Sequence, residues 1–155
     1  MRIVIADDET LLREGLARLL DDAGVEVVGK AASADELRRR VDLTRPDIAI
    51  VDIRMPPTHT DEGLVAAHEI RASHPDVGVL VLSHYVESQY AMRLLEEHPE
   101  RSGYLLKERV SDVAVLVDAL RRIDEGECVI DPTIVSRLVG KPRDESPLAE
   151  LTERE

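Results

Sequence analysis

Residues 47–56 read DIAIVDIRMP. The run 48–51 is apolar at every position, so both faces of the segment expect cover, the pattern of a strand at the buried centre of a parallel sheet. The run stops at Asp52, and the following IRMPPTHTDEG carries two adjacent prolines that interrupt any regular element. A carboxylate at the end of a buried strand is a helix cap, a reactive group or a ligand. The neighbouring segments decide which.

Upstream, RIVIA (2–6) is a short β-branched run bounded by acids, too short for a helix. TLLREGLARLLDD (10–22) places Leu12, Leu16, Leu19 and Leu20 on one helical face, with Gly24 as its stop. VEVVGKA (25–31) reads as a second strand. SADE (33–36) is a capping box, in which Ser33 and Glu36 satisfy free N–H groups reciprocally, and it opens a short helix ending before Pro46.

Downstream, EGLVAAHEIRAS (62–73) is helical and His74-Pro75 stops it. VGVLVL (77–82) is a fourth strand and VESQYAMRLLEEH (86–98) a helix ended by Pro99. GYLL (103–106) is a fifth strand. The last helix, 110–126, carries Val113, Leu116, Val117 and Leu120 as an apolar stripe. Successive βα units with right-handed crossovers predict an α/β fold, a doubly wound five-stranded parallel sheet in three α/β/α layers. In such sheets ligands bind beyond the carboxyl ends of the strands.

Composition narrows the function. A chain of 155 residues fits one domain, and with no Phe or Trp its core must be aliphatic. No stretch approaches the roughly 18 apolar residues of a membrane span, and the acids in MRIVIADDE do not suit a signal peptide. The single Cys128 forms no internal disulfide, which points to the cytoplasm. A net charge of −12 opposes direct binding of nucleic acid by this piece, and the run Arg38–Arg40 is expected on a solvated helix face.

The strand ends gather the chemistry. Asp7 and Asp8 end the first strand, Asp52 the third and Ser83 the fourth, and Lys107 follows the fifth. Each alone is ordinarily a cap or a solvated charge. Together they place three carboxylates, a hydroxyl and an ammonium on one rim. Close carboxylates resist joint ionisation unless a cation sits among them, and oxygen ligands suit Mg²⁺ or Mn²⁺ better than zinc.

IADDE, VDIRMP, VLS and GYLLKE, in this order and spacing over about residues 1–125, resemble the receiver domain of bacterial two-component response regulators, with its flavodoxin-like (βα)5 fold. The similarity is closest to the NarL/FixJ subfamily, which carries a LuxR-type helix-turn-helix output domain. The resemblance implies that Asp52 is the phosphoacceptor for a sensor histidine kinase or a small acyl phosphate. Asp8, Asp52 and the backbone carbonyl of Arg54 would bind Mg²⁺, with Asp7 ligating directly or through a water. Lys107 would pair with the phosphoryl group, while Ser83 and Tyr104 would switch with it. Arg54 and Tyr85, each two positions beyond a site residue, are expected to set the lifetime of the acyl phosphate. Such domains dimerise through the face of the fourth helix, fifth strand and fifth helix, or through the first and fifth helices.

Residues 1–126 are expected to form the receiver, 127–150 a short helix (132–139, started by Asp131-Pro132) and a linker, and 151–155 the opening of a LuxR-type DNA-binding domain. DNA binding would then belong to that further domain. Three other readings stay open. A haloacid-dehalogenase-like phosphatase would use Asp7 as nucleophile, but Glu9 stands where its second aspartate is expected and no acidic pair follows the fourth strand. A flavodoxin-like cofactor module lacks its phosphate loop after the first strand. A degenerate receiver would act only as an interaction module. The loop PTHTDEG (57–63) is longer than the family pattern, and its His59, Asp61 and Glu62 make a poor zinc set; Asp61 and Glu62 are expected to favour the next helix N-terminus. His68, His74 and His98 fall on separate helices or their ends, with no tight pair expected.

Overall fold

A computed structural model describes residues 1–137. Six strands alternate with five helices: β1 (Arg2–Ala6), α1 (Thr10–Asp22), β2 (Glu26–Ala31), α2 (Ala34–Thr44), β3 (Ile48–Asp52), α3 (Glu62–Ser73), β4 (Gly78–Ser83), α4 (Ser88–Glu97), β5 (Ser102–Leu106), α5 (Val113–Asp124) and β6 (Cys128–Ile130). All pairings are parallel, in the order β2-β1-β3-β4-β5-β6. The doubly wound three-layer fold is as predicted, with one strand more. Sequence periodicity could not find β6 because three residues are too few to show alternation.

The alternation within β3 explains the two layers. Ile48 and Ile50 point to one face and pack with Leu16, Leu20, Leu116, Leu120 and Ile123 of α1 and α5. Ala49 and Val51 point to the other and pack with Leu37, Leu64, Ile70, Ala91 and Leu94 of α2, α3 and α4. Every residue of β3 is buried, which is why the segment lacks a polar face.

The capping signal at α2 is met in part: the Ser33 hydroxyl accepts the Glu36 N–H as expected, but the Glu36 carboxylate returns to the Ala32 N–H, one residue before Ser33. Two details differ. On α1, Ala17 is buried and Leu19 is 38% exposed, so the core stripe is narrower than four leucines suggest. The last helix starts at Val113, not 110, because the Asp112 side chain caps it by accepting the Ala114 N–H; a 3-10 turn fills Lys107–Ser111.

After α5 the chain returns to the sheet as β6, and a helical segment begins at Pro132 and runs to residue 137. Asp131 and Ile134 are fully buried there, so this segment packs as part of the domain. The rest of the expected linker, and the capping-box opening at 151–155, lie outside the described residues.

Candidate functional site

The carboxyl ends of β1, β3, β4 and β5 meet at one rim, and the sheet register brings their terminal side chains together. Val51 pairs with Ala6 on one side and Asp52 with Leu82 on the other, which sets Asp52 between Asp7 and Ser83. Asp7, Asp8 and Asp52 offer carboxylate oxygens all within 4.8 Å of one another. The Lys107 ammonium lies 3.0 Å from Asp7 Oδ2 and 3.3 Å from Asp52 Oδ1, with Glu9 Oε1 at 3.5 Å. Asp7, Asp52, Ser83 and Lys107 are all buried, whereas Asp8 is partly open.

Charge is crowded here. Burial pushes the Asp52 carboxyl up to about 7, and neighbouring Asp7 adds to the rise against the opposing pull of Lys107. Burial works against the Lys107 ammonium as well, but Asp52, Asp7 and Glu9 outweigh it and hold its pKa above the usual lysine value. The ion pairs lack hydrogen-bond alignment: neither Asp7 Oδ2 nor Lys107 Nζ has a hydrogen-bond partner. An oxygen-only donor set with an unfilled buried carboxylate oxygen fits a hard divalent cation.

Gly63 explains why the loop can close over this strand end. A Cβ there would sit 1.7 Å from the carbonyl oxygen of Asp52, and the Gly63 N–H donates to the Ile53 carbonyl at 2.8 Å. Only a residue without a side chain lets α3 start against β3.

Above the acids is a cavity of about 190 Å³ lined by Asp8, Glu9, Asp52, Arg54, His59, Ser83, His84 and Tyr85. Arg54 stacks over the Tyr85 ring at 4.9 Å and donates to Glu87 Oε1 at 2.8 Å, so the two residues expected to tune the site form one roof. Ser83 accepts the Tyr85 N–H at 3.0 Å. Tyr104 is fully buried among the α2–α4 layer, and burial pushes its phenol up to about 12. A larger groove of about 340 Å³ between α2 and α3 lies away from this chemistry, beside the Arg38–Glu69 and His74–Asp42 pairs.

The long loop has contacts the sequence did not disclose. His59, with φ of 55°, reaches over the rim so that its Nε2 lies 2.9 Å from Asp8 Oδ2. Glu62 turns the other way and accepts the N–H groups of Thr58 and Thr60, which hold its carboxyl down at about 2, the Thr58 hydroxyl contributing most. His59, Asp61 and Glu62 therefore do not converge as metal ligands. Asp61 is the N-cap of α3 without a side-chain cap bond and accepts only the Thr60 hydroxyl at 3.4 Å, so Glu62 is the main acidic support of the loop. His84 Nε2 pairs with Glu9 at 3.1 Å, adding a second imidazole to the rim. Only the side chains' long-range positions reveal Glu9, His59 and His84; no spacing in the sequence marks them.

Among the described residues, no helix is long and apolar enough to cross a membrane. The model of the response regulator receiver domain matches residues 3–121. The oxygen regulatory protein NreC of Staphylococcus carnosus is 34% identical over 91% of this chain, and the chain spans 63% of that relative's length. The response regulator GacA of Pseudomonas protegens is 33% identical over the whole chain and 71% of its own length. A crystal structure of a LuxR-family two-component response regulator from Aurantimonas sp. SI85-9A1 superposes with a TM-score of 0.78 at 30% identity, covering 91% of this chain and 96% of that one. The fold, the acidic rim and these likenesses agree: the chain belongs to the response regulator receiver domain family.

Proposed function

We propose that Asp52 accepts a phosphoryl group from the phosphohistidine of a sensor histidine kinase or from a small acyl phosphate. The observation that carries this is the buried Lys107 ammonium set between Asp7 and Asp52 beneath an open cavity. A carboxylate oxygen of Asp52 attacks phosphorus, the phosphorus–nitrogen or phosphorus–oxygen bond of the donor breaks, and imidazole or carboxylate leaves with the bonding pair. Asp7, Asp8, Asp52 and the backbone carbonyl of Arg54 would hold Mg²⁺ or Mn²⁺. When bound, the ion supplies positive charge that favours ionised Asp52 and offsets charge on the transferring group.

Lys107 stays on the inner side and pairs with a phosphoryl oxygen. Ser83 turns its hydroxyl to another oxygen, and the room below the moved β4–α4 loop is taken by Tyr104, already inside the core. The Arg54–Tyr85 roof limits the access of water and so sets how long the acyl phosphate lasts. His59 holds the Asp8 carboxylate in place from the long loop. The catalysis is confined to the domain's own phosphorylation and dephosphorylation.

The output of the longer protein is transcriptional, through a LuxR-type DNA-binding domain whose association state the receiver changes in the cytoplasm. Homodimerisation uses the α4–β5–α5 face or α1 with α5. A phosphatase using Asp7 is disfavoured, because Asp7 is sealed beneath Lys107 and one of its oxygens accepts the Glu9 N–H.

Incubation with Mg²⁺ and acetyl phosphate, followed by mass spectrometry, should place the phosphoryl group on Asp52, and Asp52→Asn should abolish it. Label on Asp7 would establish the phosphatase instead, and no label with intact fold would establish a pure interaction module.

A further inference from the structure

Away from the rim, α3 and the end of α4 bring together three side chains with no part in phosphoryl transfer. His68 faces the C-terminal end of α4, where Glu97 and His98 stand side by side. The ligand atoms of His68, Glu97 and His98 all lie within 4.8 Å of one another. His68 Nδ1 is 3.2 Å from Glu97 Oε1, and the two imidazole rings are 5.2 Å apart between centroids, tilted by 39°. Two imidazoles and a carboxylate are a donor set of zinc sites that keep an open fourth position.

A second observation separates this cluster from chance proximity. Both ring nitrogens of His68 are buried, and neither makes a hydrogen bond with the protein, because the short approach to Glu97 is poorly aligned. Buried polar atoms left unpartnered are unfavourable, so an orphaned imidazole calls for a partner. The charged neighbours are Glu97, which favours a cation, and Arg93 and Arg71, which oppose one. Arg71 is already committed to the carbonyl oxygens of Pro75, Val77 and Glu100.

We propose that His68, Glu97 and His98 form a second metal site, for a first-row divalent transition ion of the zinc class, which pins the C-terminal end of α4 to α3. Ligands around a tetrahedral zinc ion sit roughly 3.3 Å apart, given bonds of about 2.0–2.1 Å. Glu97 is half exposed and free to close the remaining distance by rotation about its own bonds. His98, at the C-cap, is held by its backbone N–H on the Leu94 carbonyl, so the ring is presented from a fixed point. The two pinned helices are those that follow β3 and β4, the strands carrying Asp52 and Ser83. Loading the site would restrain the helix whose N-terminal end adjoins Ser83.

The test is calorimetric titration of the full chain with Zn²⁺ in excess Mg²⁺, paired with Co²⁺ absorption and histidine-ring NMR. The expected result is one Zn²⁺ bound with His68 and His98 signals shifted and those of His59 and His84 unmoved. Co²⁺ should give the intense visible bands of a four-coordinate site. His98→Ala and Glu97→Gln, at a helix end and compatible with folding, should each weaken binding at least about tenfold. His74→Ala, outside the cluster, should leave it unchanged. Unaltered Zn²⁺ affinity in the His98 and Glu97 variants, or shifts confined to His59 and His84, would overturn the proposal.

Discussion

Two clusters of ligating side chains stand on opposite principles. The acidic rim is built from strand ends, with Asp7, Asp52, Ser83 and Lys107 held by sheet register and buried under the loops. The His68–Glu97–His98 cluster is built from a helix side and a helix end, and its partners meet only because α3 and α4 pack together. In the rim, one ammonium faces the carboxylates of Asp7, Glu9 and Asp52 and offsets only part of their charge. In the helix cluster no ammonium intervenes, and both buried nitrogens of the His68 ring lack a hydrogen bond. Strand ends therefore produce a site whose parts are interlocked, and helix ends produce one whose parts can be removed singly.

The sharpest way to break this contrast is Gly63→Ala. The Cβ would drive into the Asp52 carbonyl, which cannot move without the strand, so a loss of about 3 kcal/mol or more is expected in denaturant melts. A stability within about 1 kcal/mol of the parent would show that the strand end is not a rigid platform.

Lys107→Met follows in size. It leaves Asp7 and Asp52 facing each other without the cation, and should cost about 2–3 kcal/mol at pH 8 in chelator. The loss should shrink at pH 5.5, where Asp52 takes up a proton. A cost independent of pH would mean that charge compensation is not the role of Lys107.

The Asp52 carboxyl gives the next effect. Its folded-state pKa, about 7, is raised above the ordinary carboxyl value, so the folded protein holds this proton more tightly. The resulting stability is complete below about pH 4 and is lost as pH rises through about 7. In chelator, Asp52→Asn should be more stable than the parent by about 1–2 kcal/mol at pH 8, with the difference vanishing toward pH 4. Added Mg²⁺ should narrow the gap at pH 8. Equal pH profiles for the two proteins would count against the crowding of carboxylates.

At the helix cluster, removing a polar group should have the opposite outcome to Lys107→Met. His68→Leu removes an unpartnered polar ring, and in metal-free buffer should raise stability by up to about 1 kcal/mol. A clear loss would show that the ring already has a compensating partner. The smallest effect is reserved for the loop. His59→Ala should weaken Mg²⁺ binding by roughly two- to tenfold without changing the fold, because it touches Asp8, a proposed ligand, and not the ion. An unchanged affinity would reduce the loop to a spacer.

The same contrast governs what could be read in advance. Asp7, Asp8, Asp52, Ser83 and Lys107 were legible because each terminates an apolar run, and parallel topology sends all such ends to one edge. Helix boundaries followed from Ser33 and Pro99. His59 was visible as a residue, but not its partner: a loop through two prolines gives no periodicity from which to aim a ring. His68 and His98 looked unrelated at a separation of thirty positions, since helix–helix contact depends on crossing geometry that no single segment encodes. β6 escaped because an edge strand of three residues has too little pattern, and its pairing is decided by β5.

Asp131 gives that last strand a further consequence. Its fully buried carboxylate accepts the backbone N–H of Leu106, the residue before Lys107, together with the Arg109 guanidinium and the Thr133 N–H. Residues 127–137 are thus tied along β5 and do not simply extend from the end of α5. The eleven residues 127–137 are lost as reach. Fully extended they would span at most roughly 36–40 Å, a reach given up by packing them beside the strand that precedes the lysine.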